Sequence, residues 1–249
     1  MNVVDHLTEE LLVNFPDSNY SGMAFNYSDK NINSLDENKL LAMSLPNNYC
    51  IQIINEGGFS IINKIYLSLR EHVQNESVLN KFIYELTLAI NCLAKIISVD
   101  FNLASLRIVN KEYVEKEYPS VSNMYHRDSS SLTLTKTFYG EGALYIENSN
   151  VNRDFFIHNS IAPHESLAMI ESGKFKILDD GMWLLLKGEM SKSIDSRNKE
   201  FVQQIRGVDT NFDDMFLGTG LIHRGGRFIN TSTRLVFTFS SYTTKRHSQ

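Results

Sequence analysis

The stretch Tyr125-His126-Arg127-Asp128-Ser129-Ser130-Ser131-Leu132-Thr133-Leu134-Thr135-Lys136-Thr137-Phe138-Tyr139 decides how this chain is read. Its second half alternates Leu with Thr, then Lys with Thr, and ends on an aromatic pair. Threonine and aromatic side chains favour a pleated, half-buried strand. Its first half sets a histidine and an aspartate two positions apart at the mouth of that strand. Side chains at that spacing share a face if the backbone is extended. Gly140-Glu141-Gly142 then marks a turn, and 143–146 supplies the next strand.

Working outward, the whole region after residue 102 reads as β-rich. A strand is predicted over 103–109, with further short ones at 155–158, 167–171, 174–178, 182–187, 214–217, 220–223 and 234–241. Many short strands separated by Gly, Asn and Asp turns point to a sandwich or barrel. Residues 188–211 are polar and read as loop or short helix. Before residue 102 the pattern is mixed to helical. Helices are predicted over 2–13, 60–73 and 77–98, a short helix or turn over 36–44, a loop over 18–35, and a strand or buried segment over 49–54. The helix over 77–98 is the strongest: Val78, Phe82, Leu86, Ala89, Ile90, Leu93 and Ile97 recur at three- and four-residue spacing, with Ser77 as its cap. Such a helix packs on a sheet or forms a homodimer contact. The chain thus divides into a helical support region, 1–102, and a β core, 103–249, within one compact unit.

Composition bounds the function. The 249 residues are 42% hydrophobic and 21% charged, which supports a sizeable core and argues against disorder. Net charge is -5, with Lys245-Arg246-His247 as the only basic run, so nucleic acid is not an expected partner. No long apolar run predicts a membrane span. The start, Met1-Asn2-Val3-Val4-Asp5-His6, lacks a signal-peptide pattern, and two cysteines, Cys50 and Cys92, fit a reducing compartment. A cytoplasmic location is expected.

Two imidazoles and one carboxylate can hold an iron on one face and leave the opposite positions free. His126 and Asp128 provide two such ligands, and Gly220-Leu221-Ile222-His223, ahead of the last predicted strand, provides the third. The open positions would take a keto acid and dioxygen. A structural zinc site would prefer cysteines and a closed shell, and none lies near these positions. Arg234 opens the apolar run Leu235-Val236-Phe237-Thr238-Phe239, where its planar fork can clamp a carboxylate with two parallel hydrogen bonds. The distal carboxylate of 2-oxoglutarate fits, with a hydroxyl from Thr231, Ser232 or Thr233. Arg224 and Arg227 bracket Gly225-Gly226, whose freedom allows close backbone approach. These two arginines and Arg127 are candidates for an acidic substrate. Lys136 interrupts the Leu/Thr alternation and either meets an acidic group of a ligand or points to solvent. Tyr125, Tyr139, Tyr145, Phe138 and Trp183 are candidate pocket walls.

These residues resemble the iron and 2-oxoglutarate-dependent dioxygenase superfamily. The HxD at 126–128, His223 and Arg234 match its motif in type and order. The run from His223 through Gly225, Asn230 and Ser232 to Arg234 is similar to the distal motif of phytanoyl-CoA hydroxylase-like members. Gly142-Ala143-Leu144-Tyr145-Ile146 resembles the glycine-led strand after the first motif. The resemblance, over about 103–244, implies a mainly β double-stranded β-helix, or jelly roll, with N-terminal helices on its outside. It implies His126, Asp128 and His223 as Fe(II) ligands, Arg234 as the 2-oxoglutarate partner, and O2 as oxidant. The activity implied is oxidative decarboxylation coupled to hydroxylation, desaturation or cyclisation of a small acidic or amino-acid-like molecule, as in natural-product biosynthesis. The presence of Asp128 argues against halogenation. A metal-dependent cupin-type enzyme without 2-oxoglutarate, and a non-catalytic β-sandwich binding module, are the rival readings.

Overall fold

A computed structural model describes residues 1–4, 8–15, 17–27, 29–94, 101–112, 124–128, 130–159, 161–188 and 220–242. The first part of the chain contributes strands β1 (Asn2–Val4), β2 (Gly22–Phe25) and β3 (Cys50–Ile54). It also contributes helices α1 (Glu9–Asn14), α2 (Leu35–Ser44), α3 (Gly58–Arg70) and α4 (Glu76–Ala94). From β4 (Phe101–Asn110) onward the chain crosses repeatedly between two sheets. Strands β6 (Leu132–Tyr139), β10 (Trp183–Lys187) and β12 (Thr233–Tyr242) join β4 in one, in the order β1-β2-β10-β6-β12-β4-β3. Strands β5 (Tyr125–His126), β7 (Leu144–Tyr145), β8 (Ile161–Ala162), β9 (Lys176–Ile177) and β11 (His223–Arg224) form the other, in the order β8-β5-β11-β7-β9. Alternation of β4, β5, β6, β7 and then β10, β11, β12 between the sheets is the winding of a double-stranded β-helix.

Period-two alternation gives the larger sheet two faces of opposite character. Leu106, Ile108, Leu132, Leu134, Phe138, Trp183, Leu185, Leu235, Phe237 and Phe239 share one core cluster with the buried stripes of α2, α3 and α4. That stripe is the predicted one: Val78, Phe82, Leu86, Ala89, Ile90 and Leu93 are buried on α4. Burial of such side chains stabilises by about 1.5–3 kcal/mol each. The residues between them on β4, β6 and β12 are Ser105, Arg107, Thr133, Thr135, Thr137, Arg234 and Thr238, and they face the second sheet. Cross-strand pairs fix this register, with Arg234 opposite Val109, Val236 opposite Arg107 and Thr238 opposite both Ser105 and Thr135.

Several local expectations are corrected. Within 2–13 a strand, β1, precedes the shorter helix α1, and β2 lies inside the stretch read as loop. Asn75 caps α4 instead of Ser77, since its Oδ1 accepts from the N–H groups of Ser77 and Val78. The predicted strand at 155–158 is helical, α5 (Arg153–His158), capped by Asn152, and that at 167–171 starts inside a second helix, α6 (Glu165–Ala168), and keeps only a bridge from Met169 to Val151. Both cover the outer face of the smaller sheet, where Phe156 and Ala168 pack with Leu144, Ile146 and Ile222. The predicted strand at 214–217, the end of the helix beyond 94 and nearly all of 188–211 lie outside the described residues. Among the described residues no helix is long and apolar enough to cross a membrane.

Candidate metal centre

β5 and β11 are antiparallel neighbours with His126 directly opposite His223. Opposed residues project to the same face, so the register alone sets the two imidazoles side by side, with ring centroids 4.4 Å apart. Nδ1 of His126 lies 2.8 Å from the Met124 carbonyl oxygen and Nδ1 of His223 lies 3.2 Å from that of Leu221. A carbonyl only accepts, so each Nδ1 carries the proton and each Nε2 keeps its lone pair. Those Nε2 atoms are 3.5 and 3.7 Å from one oxygen, Oδ1 of Asp128. One donor atom from each residue lies within 4.8 Å of the others.

The electrostatics suit a divalent cation. Burial pushes the Asp128 carboxyl up, but interaction with the His223 and His126 imidazoles and a hydrogen bond from Thr133 outweigh it and hold it well below the usual carboxylate range. Burial lowers the His223 imidazole to about 4, so it is neutral at pH 7 and ready to ligate. Thr133 is itself held by Ser130 at 2.6 Å and Ser240 at 3.3 Å, a hydroxyl chain that steadies the carboxylate. Two imidazoles and a carboxylate, with no fourth His, Cys or carboxylate ligand among the described residues, fit Fe(II) better than structural zinc.

A cavity of about 110 Å³ runs from this triad along the inner face of the larger sheet. Thr133, Thr135, Thr137, Val236, Ala143 and Val109 line it, and Arg234 and Arg107 supply cations. Arg234 is 2% exposed, and its Nε has no hydrogen-bond partner among the described residues. Its guanidinium sits over the Phe228 ring at 4.9 Å. Burial, then the charges of Arg107 and Arg224, lower its proton affinity to about 10, which still leaves it cationic. Gly140, at φ 90°, makes room for it: a Cβ there would lie 2.6 Å from Arg234 Cγ. A buried cation without a carboxylate partner is costly unless an anion completes it.

The remaining predicted site residues are placed differently. Lys136 occupies a leucine position in the alternation and so faces the helices. It pairs with buried Glu85 of α4, which also accepts from Trp183 Nε1 at 2.9 Å. Lys136 therefore meets no ligand, and Phe138 and Trp183 are helix-face core. Thr231 and Ser232 do not line the chamber; Thr231 borders a separate groove beside Ile229 and Asn230. Arg227 donates from its backbone N–H and side-chain fork to Glu141, so its charge is already satisfied. That contact brings Gly226 so close to the Glu141 carbonyl that a Cβ would clash. Arg224 borders the chamber, but its guanidinium stacks 5.7 Å over Tyr125 on the other side of the strand. Tyr125 belongs to the outer cluster under α5 and α6. Arg127 alternates with His126 and Asp128, is buried, and does not line the chamber. Tyr145 is buried between the sheets with Leu184 and Leu221. Arg107 was not singled out from the sequence, although Leu103, Ser105, Arg107 and Val109 share a strand face there, and that period was the available signal.

No protein-family model and no curated protein matches the chain. Among solved structures it is similar to a dioxygenase for auxin oxidation from rice, at 10% identity and TM-score 0.45, over 98% of this chain and 84% of that one. It is also similar to a full-length Neurospora crassa protein solved with alpha-KG and thymine, at 10% identity and TM-score 0.39, over 94% and 79%. The chain's own residues, not these distant likenesses, carry the function proposed below.

Proposed function

We propose that this chain is a non-haem Fe(II) and 2-oxoglutarate-dependent oxygenase that oxidises a small acidic or amino-acid-like molecule. The observation that carries the reading is the pairing of two features in one cavity. Two Nε2 atoms and Asp128 Oδ1 converge without a fourth His, Cys or carboxylate ligand among the described residues, and buried Arg234, whose Nε has no hydrogen-bond partner among them, lines the same chamber.

His126, Asp128 and His223 would hold the iron. Their Nδ1–H bonds to Met124 and Leu221 fix ring orientation and tautomer, and Thr133 orients the carboxylate. Arg234 would clamp the distal carboxylate of 2-oxoglutarate through its fork. Val109, Val236 and Ala143 give the methylenes of the keto acid apolar contacts, and the threonines offer hydroxyl donors. Iron and 2-oxoglutarate, when bound, supply the oxidising chemistry by coupling decarboxylation of the keto acid to activation of dioxygen. His126 and His223 are buried between the two sheets, which limits bulk water at the reacting centre.

Anaerobic addition of Fe(II) and 2-oxoglutarate should give a weak visible absorption band, and admission of oxygen should yield succinate. Metal binding without any response to 2-oxoglutarate would favour the cupin-type enzyme instead. Absence of both responses would favour a binding module.

A further inference from the structure

Past Asp128 the inner face of the larger sheet opens into a second chamber of about 190 Å³. Gln52, Ser105, Arg107, Ser130, Thr238 and Ser240 border it together with Asp128. Three of these are aligned across β3, β4 and β12: Gln52 opposite Ser105, and Ser105 opposite Thr238. Gln52 is exposed, so the chamber opens at that edge. Ser105 is buried, and its Oγ has no hydrogen-bond partner among the described residues. Arg107 has no described carboxylate within salt-bridge distance; Asp128, a metal ligand, is the acidic side chain whose charge reaches it.

Charge balance shows what is missing. A divalent metal, a doubly charged keto acid, Asp128, Arg234 and Arg107 together leave one net positive charge. Arg107, half-buried, lines the second chamber beside an unsatisfied hydroxyl and can balance one further negative charge. A cation partly withdrawn from water gains from an anionic partner, and a guanidinium fork matches a carboxylate best.

We propose that this second chamber is the substrate subsite and that Arg107, with Ser105 Oγ and the Gln52 amide, holds the carboxylate of a small substrate beside the metal. The inference rests on the metal and 2-oxoglutarate reading above and identifies the recognition residues that reading leaves open. The space equals that of about six waters, so only a compact acid, or the acidic end of a longer one, enters.

The test uses the whole chain loaded with Mn(II), a redox-silent substitute for iron, and 2-oxoglutarate. Acetate is the probe, and the readout is Mn(II)-induced relaxation of its methyl protons. Saturable relaxation is expected with 2-oxoglutarate already bound, falling at least tenfold in Arg107→Gln and about threefold in Ser105→Ala. Arg107→Lys, which keeps the charge, should retain part of it, and neutral acetamide should show none. Relaxation indifferent to Arg107→Gln would overturn the proposal, because acetate would then be held by the metal alone. Displacement of acetate by 2-oxoglutarate would overturn it as well, because Arg107 would then serve the keto acid. Should Arg107→Gln not fold, the Ser105→Ala, Arg107→Lys and acetamide arms decide between the same results. The Mn(II) spectrum before and after 2-oxoglutarate, recorded without acetate, separately reports whether the underlying metal and keto-acid reading stands.

Discussion

Lys136 and Arg234 lie on neighbouring strands of one sheet, and both are buried, at 3% and 2% exposure. Lys136 faces the helices and is neutralised within the chain by Glu85. Arg234 faces the metal triad, and no described carboxylate neutralises it. The first cation is complete in the folded chain, whereas the second awaits an anion. Burial of a charge is therefore no sign of function by itself; burial without a partner, inside a cavity, is.

The largest expected effect breaks the complete pair. Glu85→Gln leaves Lys136 buried and uncompensated, so unfolding stability should fall by about 3–5 kcal/mol. Replacing both partners, as Glu85→Leu with Lys136→Met, should be near neutral or stabilising by comparison. Urea denaturation measures both, and a small loss in the single variant would erase the contrast drawn above. Arg234→Met should do the reverse: metal-free stability is unchanged or raised, while 2-oxoglutarate affinity falls on the order of 100-fold, about 3 kcal/mol. A further prediction concerns the hydroxyl chain. Thr133→Val removes the donor to Asp128, and metal affinity should drop about 10–100-fold with the fold intact, as read by competition with a metal indicator.

The smallest effect is one of pH. Burial lowers His223 to about 4 in the metal-free protein, against roughly 6.5 in an unfolded chain. As pH falls from about 6.5 to about 4 the unfolded chain takes up the proton first, so stability is lost over that window by at most ~1.4 kcal/mol per unit. Asp128, also depressed, extends the loss in the same direction at more acidic pH. Urea midpoints across this range should fall toward acid in the wild type and flatten in His223→Asn.

The contrast between the two cations was partly legible in the sequence. Lys136 stands where the alternation of 132–139 calls for leucine, which fixes its face, although its partner Glu85 is fifty-one positions away and nothing local announces it. His126, Asp128, His223 and Arg234 were readable because type and order are local facts, and the cross-strand register then brings the histidines together. Arg107 was not, since it sits on a strand of ordinary appearance and gains meaning only when β12 and β3 lie beside it. Thr231 and Ser232 were plausible by proximity to Arg234, yet the hydroxyls that line the chamber lie on β6 and farther along β12. Phe155-Phe156 shows another limit of short patterns: two adjacent apolar residues have no period, and the Asn152 cap decides for helix.

The most direct test is calorimetric titration of 2-oxoglutarate into the protein with and without Mn(II). One equivalent should bind tightly only when the metal is present, and Arg234→Met should abolish that binding while leaving Mn(II) affinity unchanged. Binding that ignores the metal, or that survives intact in Arg234→Met, would contradict the assignment of the triad and the unpaired arginine to one site.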